Sequence, residues 1–137
     1  KQHSLTRVSI QGGTENILLV DDEADIVQME KHRLTRLGYQ VVAYTDSTQA
    51  LEIFRTAPDK FDMVISDVAM SNMSGDRLAK ELIKIRPDVP IILCTGFSEK
   101  ITPETVKKMG VREMLMKPVS MTTLSKKIRD VLDGIVP

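Results

Sequence analysis

A single cysteine, Cys94, among 137 residues excludes an internal disulfide and suits a reducing compartment. It stands in the apolar run Ile91-Ile92-Leu93-Cys94, so it reads as a small buried hydrophobe rather than a reactive thiol. Neither sign of charge is in excess. Lys+Arg and Asp+Glu both number 19, for a formal net charge of zero, which argues against a nucleic-acid binder held by bulk charge. No stretch approaches the ~20 apolar residues of a membrane span. Lys1-Gln2-His3-Ser4 is not followed by the apolar segment of a signal peptide. Internal repeats and low-complexity tracts are also missing. The expectation is a cytoplasmic chain with no nucleic-acid or membrane partner. It opens on Lys rather than Met, so it is expected to be a fragment, a processed protein or an excised piece, with an upstream domain left open.

What is present is an ordinary globular composition, 42% hydrophobic and 28% charged, enough to bury one core. Residues 1–14, ending in Gln11-Gly12-Gly13-Thr14, read as a linker or tail of flexible composition. Residues 15–134 are expected to form one domain. Ile17-Leu18-Leu19-Val20 is apolar on both faces, as a strand in a covered parallel sheet must be. Val27, Leu34 and Leu37 follow at helical spacing, with Gly38 as the stop. The same alternation recurs with strands at Val41–Ala43, Met63–Ile65, Ile91–Cys94 and Met114–Met116. Helical faces lie between them at Ala50, Ile53, Phe54 and Ala57, at Leu78, Leu82 and Ile85, and over residues 103–109. A last helix carries Leu124, Ile128, Val131 and Leu132. Five strands alternating with five helices imply an α/β domain with a doubly wound parallel sheet.

The polar residues at the strand ends carry the chemistry. Asp21-Asp22 follow the first strand, Asp67 the third, Thr95 the fourth and Lys117 the fifth. In a parallel sheet these ends share one edge, with strands ~4.8 Å apart, where open α/β sheets bind their ligands. Two unit charges ~4 Å apart interact by ~4 kcal/mol at an effective dielectric near 20. One lysine cannot neutralise three carboxylates, so either protons or a cation must be taken up. A hard ion with oxygen ligands fits, and Mg²⁺ fits best because it accepts a few carboxylates while keeping waters and a phosphoryl oxygen.

Leu18-Leu19-Val20-Asp21-Asp22-Glu23, Ile65-Ser66-Asp67, Met70 through Gly75, Thr95-Gly96 and Lys117-Pro118 together resemble the receiver domains of response regulators in two-component signalling, over about residues 16–133. The resemblance implies a flavodoxin-like (βα)5 sandwich with strand order 2-1-3-4-5. It implies that Asp67 takes a phosphoryl group from a phosphohistidine as an acyl phosphate. Mg²⁺ would be held by Asp21, Asp22, Asp67 and the Ala69 backbone carbonyl. Lys117 would pair with a phosphoryl oxygen, and Thr95 would be the switch hydroxyl. The bond before Pro118 is usually cis in this family. The implied partners are a histidine kinase or phosphotransfer domain, and a downstream protein or second copy meeting the last two helices. The Gly13-Thr14-Glu15 lead-in is similar to that of receivers appended to hybrid histidine kinases, leaving open a kinase domain in the same polypeptide. The activity expected is self-phosphotransfer and autodephosphorylation, not turnover of an external substrate.

Two departures stand out. Ser71 follows Met70 where the family usually has Pro, and Met114 occupies the switch position that is usually Tyr or Phe. Ala69 and Phe97, neither able to orient an attacking water, point to slow loss of phosphate. His32, in Lys31-His32-Arg33, reads as part of a solvated face rather than a phosphorylated histidine. Lys107, Lys108, Lys126, Lys127 and Arg129 read as solvated helix surface, with a partner-binding face as the alternative. Two rival functions stay open: a receiver fold used only for docking, and a Mg²⁺-dependent phosphatase with an aspartyl nucleophile. The latter usually needs a carboxylate two residues past the nucleophile, where Ala69 stands.

Overall fold

The computed structural model describes residues 10–96 and 100–135. Five strands, β1 (Asn16–Val20), β2 (Gln40–Tyr44), β3 (Met63–Asp67), β4 (Ile91–Thr95) and β5 (Glu113–Met116), pair in parallel in the order β2-β1-β3-β4-β5. The helices between and after them are α1 (Ala24–Arg36), α2 (Ser47–Thr56), α3 (Gly75–Ile85), α4 (Pro103–Met109) and α5 (Met121–Leu132). This is the doubly wound sheet that the alternation of elements predicts.

The apolar runs divide between the two faces of the sheet because successive strand side chains point to opposite sides. Leu18 and Val20 of β1, Val64 of β3 and Ile91 and Leu93 of β4 enter a core with α2, α3 and Val106 of α4. Ile17, Leu19, Met63, Ile65, Ile92 and Cys94 enter the other, with Val27 and Leu34 of α1 and Leu124, Ile128 and Val131 of α5. A one-residue slip of any strand would exchange the two sets, so packing on both faces holds the register.

Helix ends follow local chemistry. Asp46, Thr102 and Ser120 cap α2, α4 and α5 by accepting hydrogen bonds from the backbone N–H groups of Thr48, Thr105 and Thr123. Gly110 ends α4 in the left-handed conformation (φ 110°) that costs a side chain dearly. Gly12 and Gly13 lie against the turn after α1. The Gly13 N–H donates to the Leu37 carbonyl at 3.1 Å, and a Cβ on Gly12 would sit 1.9 Å from that same oxygen.

Arg129 corrects one expectation. It is not part of a solvated helix surface: its side chain is 14% exposed. Its guanidinium grips Glu15 with two hydrogen bonds (2.8 and 3.0 Å) and Asp133 at 2.7 Å, and reaches the Tyr39 hydroxyl at 3.3 Å. Helical spacing alone placed it among the outward lysines, whereas packing of the segment before β1 against α5 covers it. Lys107, Lys108, Lys126 and His32 are exposed, and Lys127 is half-buried near Glu113. Among the described residues no helix is long and apolar enough to cross a membrane.

Candidate functional site

Parallel register brings the polar strand ends together. Asp67 pairs with Cys94 and Thr95 with Met116, and Val20 lies beside Ser66. Backbone hydrogen bonds continue the ladder past the strands, from Asp21 N–H to Tyr44 O (3.2 Å) and from Lys117 N–H to Thr95 O (2.8 Å). Asp21, Asp22 and Asp67 therefore each offer a carboxylate oxygen within 4.8 Å of the others. Lys117 Nζ lies 2.7 Å from Asp67 Oδ1 and 3.8 Å from Asp21 Oδ2. Asp21 and Asp67 are buried and Asp22 sits at the rim.

The electrostatics are unbalanced. Burial pushes the Asp21 carboxyl above its ordinary value, the Glu23 N–H opposes this, and the Asp67 charge adds to it. Burial pulls Lys117 down, but its hydrogen bond to Asp67 and the charges of Asp67 and Asp21 outweigh that, so it is raised overall. Lysine stays ionised, and a net negative charge remains once the three carboxylates are ionised. An oxygen-only donor set of this size, with one side open to solvent, suits a hard divalent cation that keeps part of its water shell. The residues fit Mg²⁺ on those grounds.

Thr95 is buried, 2% exposed, with its hydroxyl 3.3 Å from the Gly96 carbonyl. Ala69 is exposed. Met114 is half-buried and packs into the core on the α2–α4 side of the sheet. The Lys117–Pro118 peptide is cis. Phe97 lies outside the described residues. Cys94 is buried, and burial pushes its thiol up to about 12, in keeping with an inert packing role.

Several contributors escaped the sequence reading. The Glu23 N–H holds Asp21 Oδ1 at 3.0 Å, and the buried Ser66 hydroxyl donates to the Asp67 carbonyl at 2.8 Å. The Ser71 N–H donates to Asp22 Oδ2 at 3.2 Å. Gly75 begins α3 so close under the acceptor that a Cβ there would lie 2.0 Å from the Asp67 carbonyl oxygen. Glu30 of α1 lines a groove beside Asp67, Lys117 and Cys94, and burial, followed by the Asp21 charge, raises its carboxyl. Its place between Val27 and Leu34, on the apolar side of the helix, was the available signal. The backbone donors had none.

The fold coincides with that of known proteins. Residues 17–129 match the response regulator receiver domain family; the chain belongs to that family, and is a receiver domain of two-component signalling. It is 38% identical over 118 residues to a probable transcriptional regulator, ycf27, of Porphyra purpurea, covering 86% of this chain and 47% of that one. It is 31% identical over 134 residues to the sensor kinase CckA of Brucella abortus, covering 97% of this chain but 14% of the kinase. The chain thus spans about half the length, or less, of these curated relatives. Among solved structures, a receiver domain protein of Clostridium thermocellum superposes with a TM-score of 0.84 at 33% identity, over 88% of this chain and 95% of that one. The chemotaxis protein CheY4 of Vibrio cholerae gives 0.75 at 31% identity, over 87% and 99%.

Proposed function

We propose that the chain is a phosphorylation switch in which Asp67 accepts a phosphoryl group from the phosphohistidine of a histidine kinase or phosphotransfer domain. The observation that carries this reading is the convergence of Asp21, Asp22 and Asp67 within 4.8 Å of one another, with Lys117 2.7 Å from Asp67. The free Asp67 carboxylate oxygen attacks phosphorus as the P–N bond breaks. The electron pair returns to the imidazole nitrogen, which takes up a proton. The chain's own contribution is to place the nucleophile and to meet charge where it develops, the main sources of catalysis in phosphoryl transfer. Lys117 holds Asp67 oriented before transfer and is the counter-charge for a phosphoryl oxygen after it. The Thr95 hydroxyl, beside Asp67 at the next strand end, hydrogen-bonds another.

Asp21, Asp22, Asp67 and the Ala69 carbonyl are the ligands in this reading. When bound, Mg²⁺ supplies electrostatic relief of the carboxylates and of the transferring oxygens. Ala69 offers no acid or base two residues past the nucleophile, which speaks against a phosphatase. Together with Phe97 it leaves water unguided, so the phosphorylated form is long-lived. Rearrangement around Thr95 reaches the surface through Met114, a flexible side chain in place of a rigid ring. The α4–β5–α5 face then meets a partner protein or a second copy.

The similarity to the sensor kinase CckA over 97% of this chain supports a place beside a kinase domain in one cytoplasmic polypeptide, with residues 15–134 as the receiver unit and residues 1–14 as its lead-in. Acetyl phosphate with Mg²⁺ tests the central step: intact-mass measurement is expected to show one added phosphoryl group, absent in Asp67→Asn. No mass gain and no spectral change with beryllofluoride would leave a docking module. Multiple turnover of phosphomonoesters would make it an enzyme.

A further inference from the structure

We propose that the backbone N–H of Ser71 is a positioning group for the metal site, a latch that holds the Asp22 carboxylate in a ligating orientation. This rests on the Mg²⁺ reading above and assigns a role to one of the two positions where the chain departs from its family. Each carboxylate of the cluster has a fixed donor. Asp67 has Lys117 at 2.7 Å, and Asp21 has the Glu23 N–H at 3.0 Å. Asp22, at the solvent-facing rim, has the Ser71 N–H at 3.2 Å, its one hydrogen bond to protein among the described residues. Without that bond, nothing described selects one Asp22 rotamer over the others that water would satisfy equally well.

The bond also spans 49 residues of sequence. It ties the loop after β1, which carries Asp21 and Asp22, to the loop after β3, which carries Ala69. Both loops belong to the metal site, so one hydrogen bond fixes the relative placement of ligands from two strands. A proline at position 71, usual in the family this chain resembles, has no N–H to donate. The departure at Ser71 therefore adds a donor as well as relaxing the loop. The side chain is not the agent, since Ser71 is exposed and the bond comes from its main chain. Groups that orient a metal ligand in this way are commonly worth about tenfold or more in affinity. A carboxylate accepting one N–H keeps further lone pairs for an ion, so the latch and the metal are compatible.

The test compares three forms of the full chain in Mg²⁺ titrations followed by amide chemical shifts, with no phosphoryl donor present. Ser71→Ala, which keeps the N–H, is expected to bind Mg²⁺ within about twofold of the unmodified chain. Ser71→Pro is expected to weaken binding about tenfold. So is a semisynthetic chain with an ester in place of the Met70–Ser71 amide, which removes only the N–H and guards against an effect of the proline ring. In the metal-free chain the Ser71 amide is expected to show a through-bond coupling to the Asp22 carboxylate carbon. The latch is overturned if the ester chain binds as tightly as the amide or more tightly, or if Ser71→Ala weakens binding as much as proline does. No Mg²⁺ binding by the unmodified chain at millimolar concentration would instead overturn the metal reading, and the latch with it.

Discussion

At the amino end of the sheet, Arg129 gathers Glu15, Asp133 and Tyr39 around one guanidinium. At the carboxyl end, Lys117 faces Asp21 and Asp67, with Asp22 alongside. Both are small ionic clusters on the same scaffold, and they differ in how far they are satisfied. The Arg129 hydrogen bond to Glu15 holds that carboxyl below its ordinary range, while the hydrogen bonds that Arg129 donates to Glu15 and then to Asp133 raise the guanidinium. At the other end burial raises the Asp21 carboxyl, the mark of an anion short of partners. The amino-end cluster stabilises the fold as it stands. The carboxyl-end cluster leaves Asp21 buried and short of partners, a cost in stability that in the proposed function a cation and a phosphoryl group would offset, as functional sites commonly require.

The sharpest way to separate the two ends is Asp67→Asn, for which phosphoryl gain from acetyl phosphate is expected to vanish while the fold holds, by intact mass and circular dichroism. Gly75→Ala should cost the most stability, about 3 kcal/mol in urea unfolding. Its Cβ would meet the Asp67 backbone at 2.0 Å, and backbone cannot move aside as a flexible side chain can. Arg129→Ala is expected to lower stability by about 1–2 kcal/mol, reduced from the cost of a fully buried pair because Glu15 and Asp133 keep contact with water, with Asp67 phosphorylation unchanged. An equal loss of phosphorylation there would break the division drawn between the two ends. Lys117→Met should tighten Mg²⁺ roughly tenfold, since a positive charge near the ion is removed; calorimetric titration showing weaker binding would contradict this.

The smallest effect is in pH. Glu15, held below its ordinary value of 4.5, binds its proton more readily in the unfolded chain, so its contribution is present above that value and fades as pH falls through its lowered range. Asp21 has the opposite sign. Raised above 3.8 in the fold, it binds its proton more readily when folded, so the metal-free protein loses stability as pH rises from 3.8 through its raised range. Unfolding midpoints without Mg²⁺ between pH 3 and 6 should therefore shift in opposite directions for Glu15→Gln and Asp21→Asn, relative to the unmodified chain. Parallel shifts would remove the contrast.

Much of this was legible in the order of residues. Doubly apolar runs such as Ile17–Val20 and Ile91–Cys94 fit strands of a parallel sheet covered on both faces, and acids, a hydroxyl and an amine at the carboxyl ends of such strands lie along one edge. The limits of α4, at 103–109, were also legible, with Pro103 suited to the first turn of a helix. Glu30 was half-legible, since a carboxylate interrupts the apolar spacing between Val27 and Leu34. Arg129 was misplaced because helical spacing says which face a residue occupies but not what the chain elsewhere lays over it.

By itself, the sequence determined which elements form and which side chains stand at the strand ends, because periodicity and strand-end position are local properties that parallel topology turns into proximity. Only the tertiary structure decided how each group is held. The grip of Arg129 on Glu15, the Ser71 N–H on Asp22 and the approach of Gly75 to Asp67 link residues distant in sequence or depend on main-chain atoms. A backbone N–H is the same in every residue but proline, so the order of side chains records neither where it points nor what it binds.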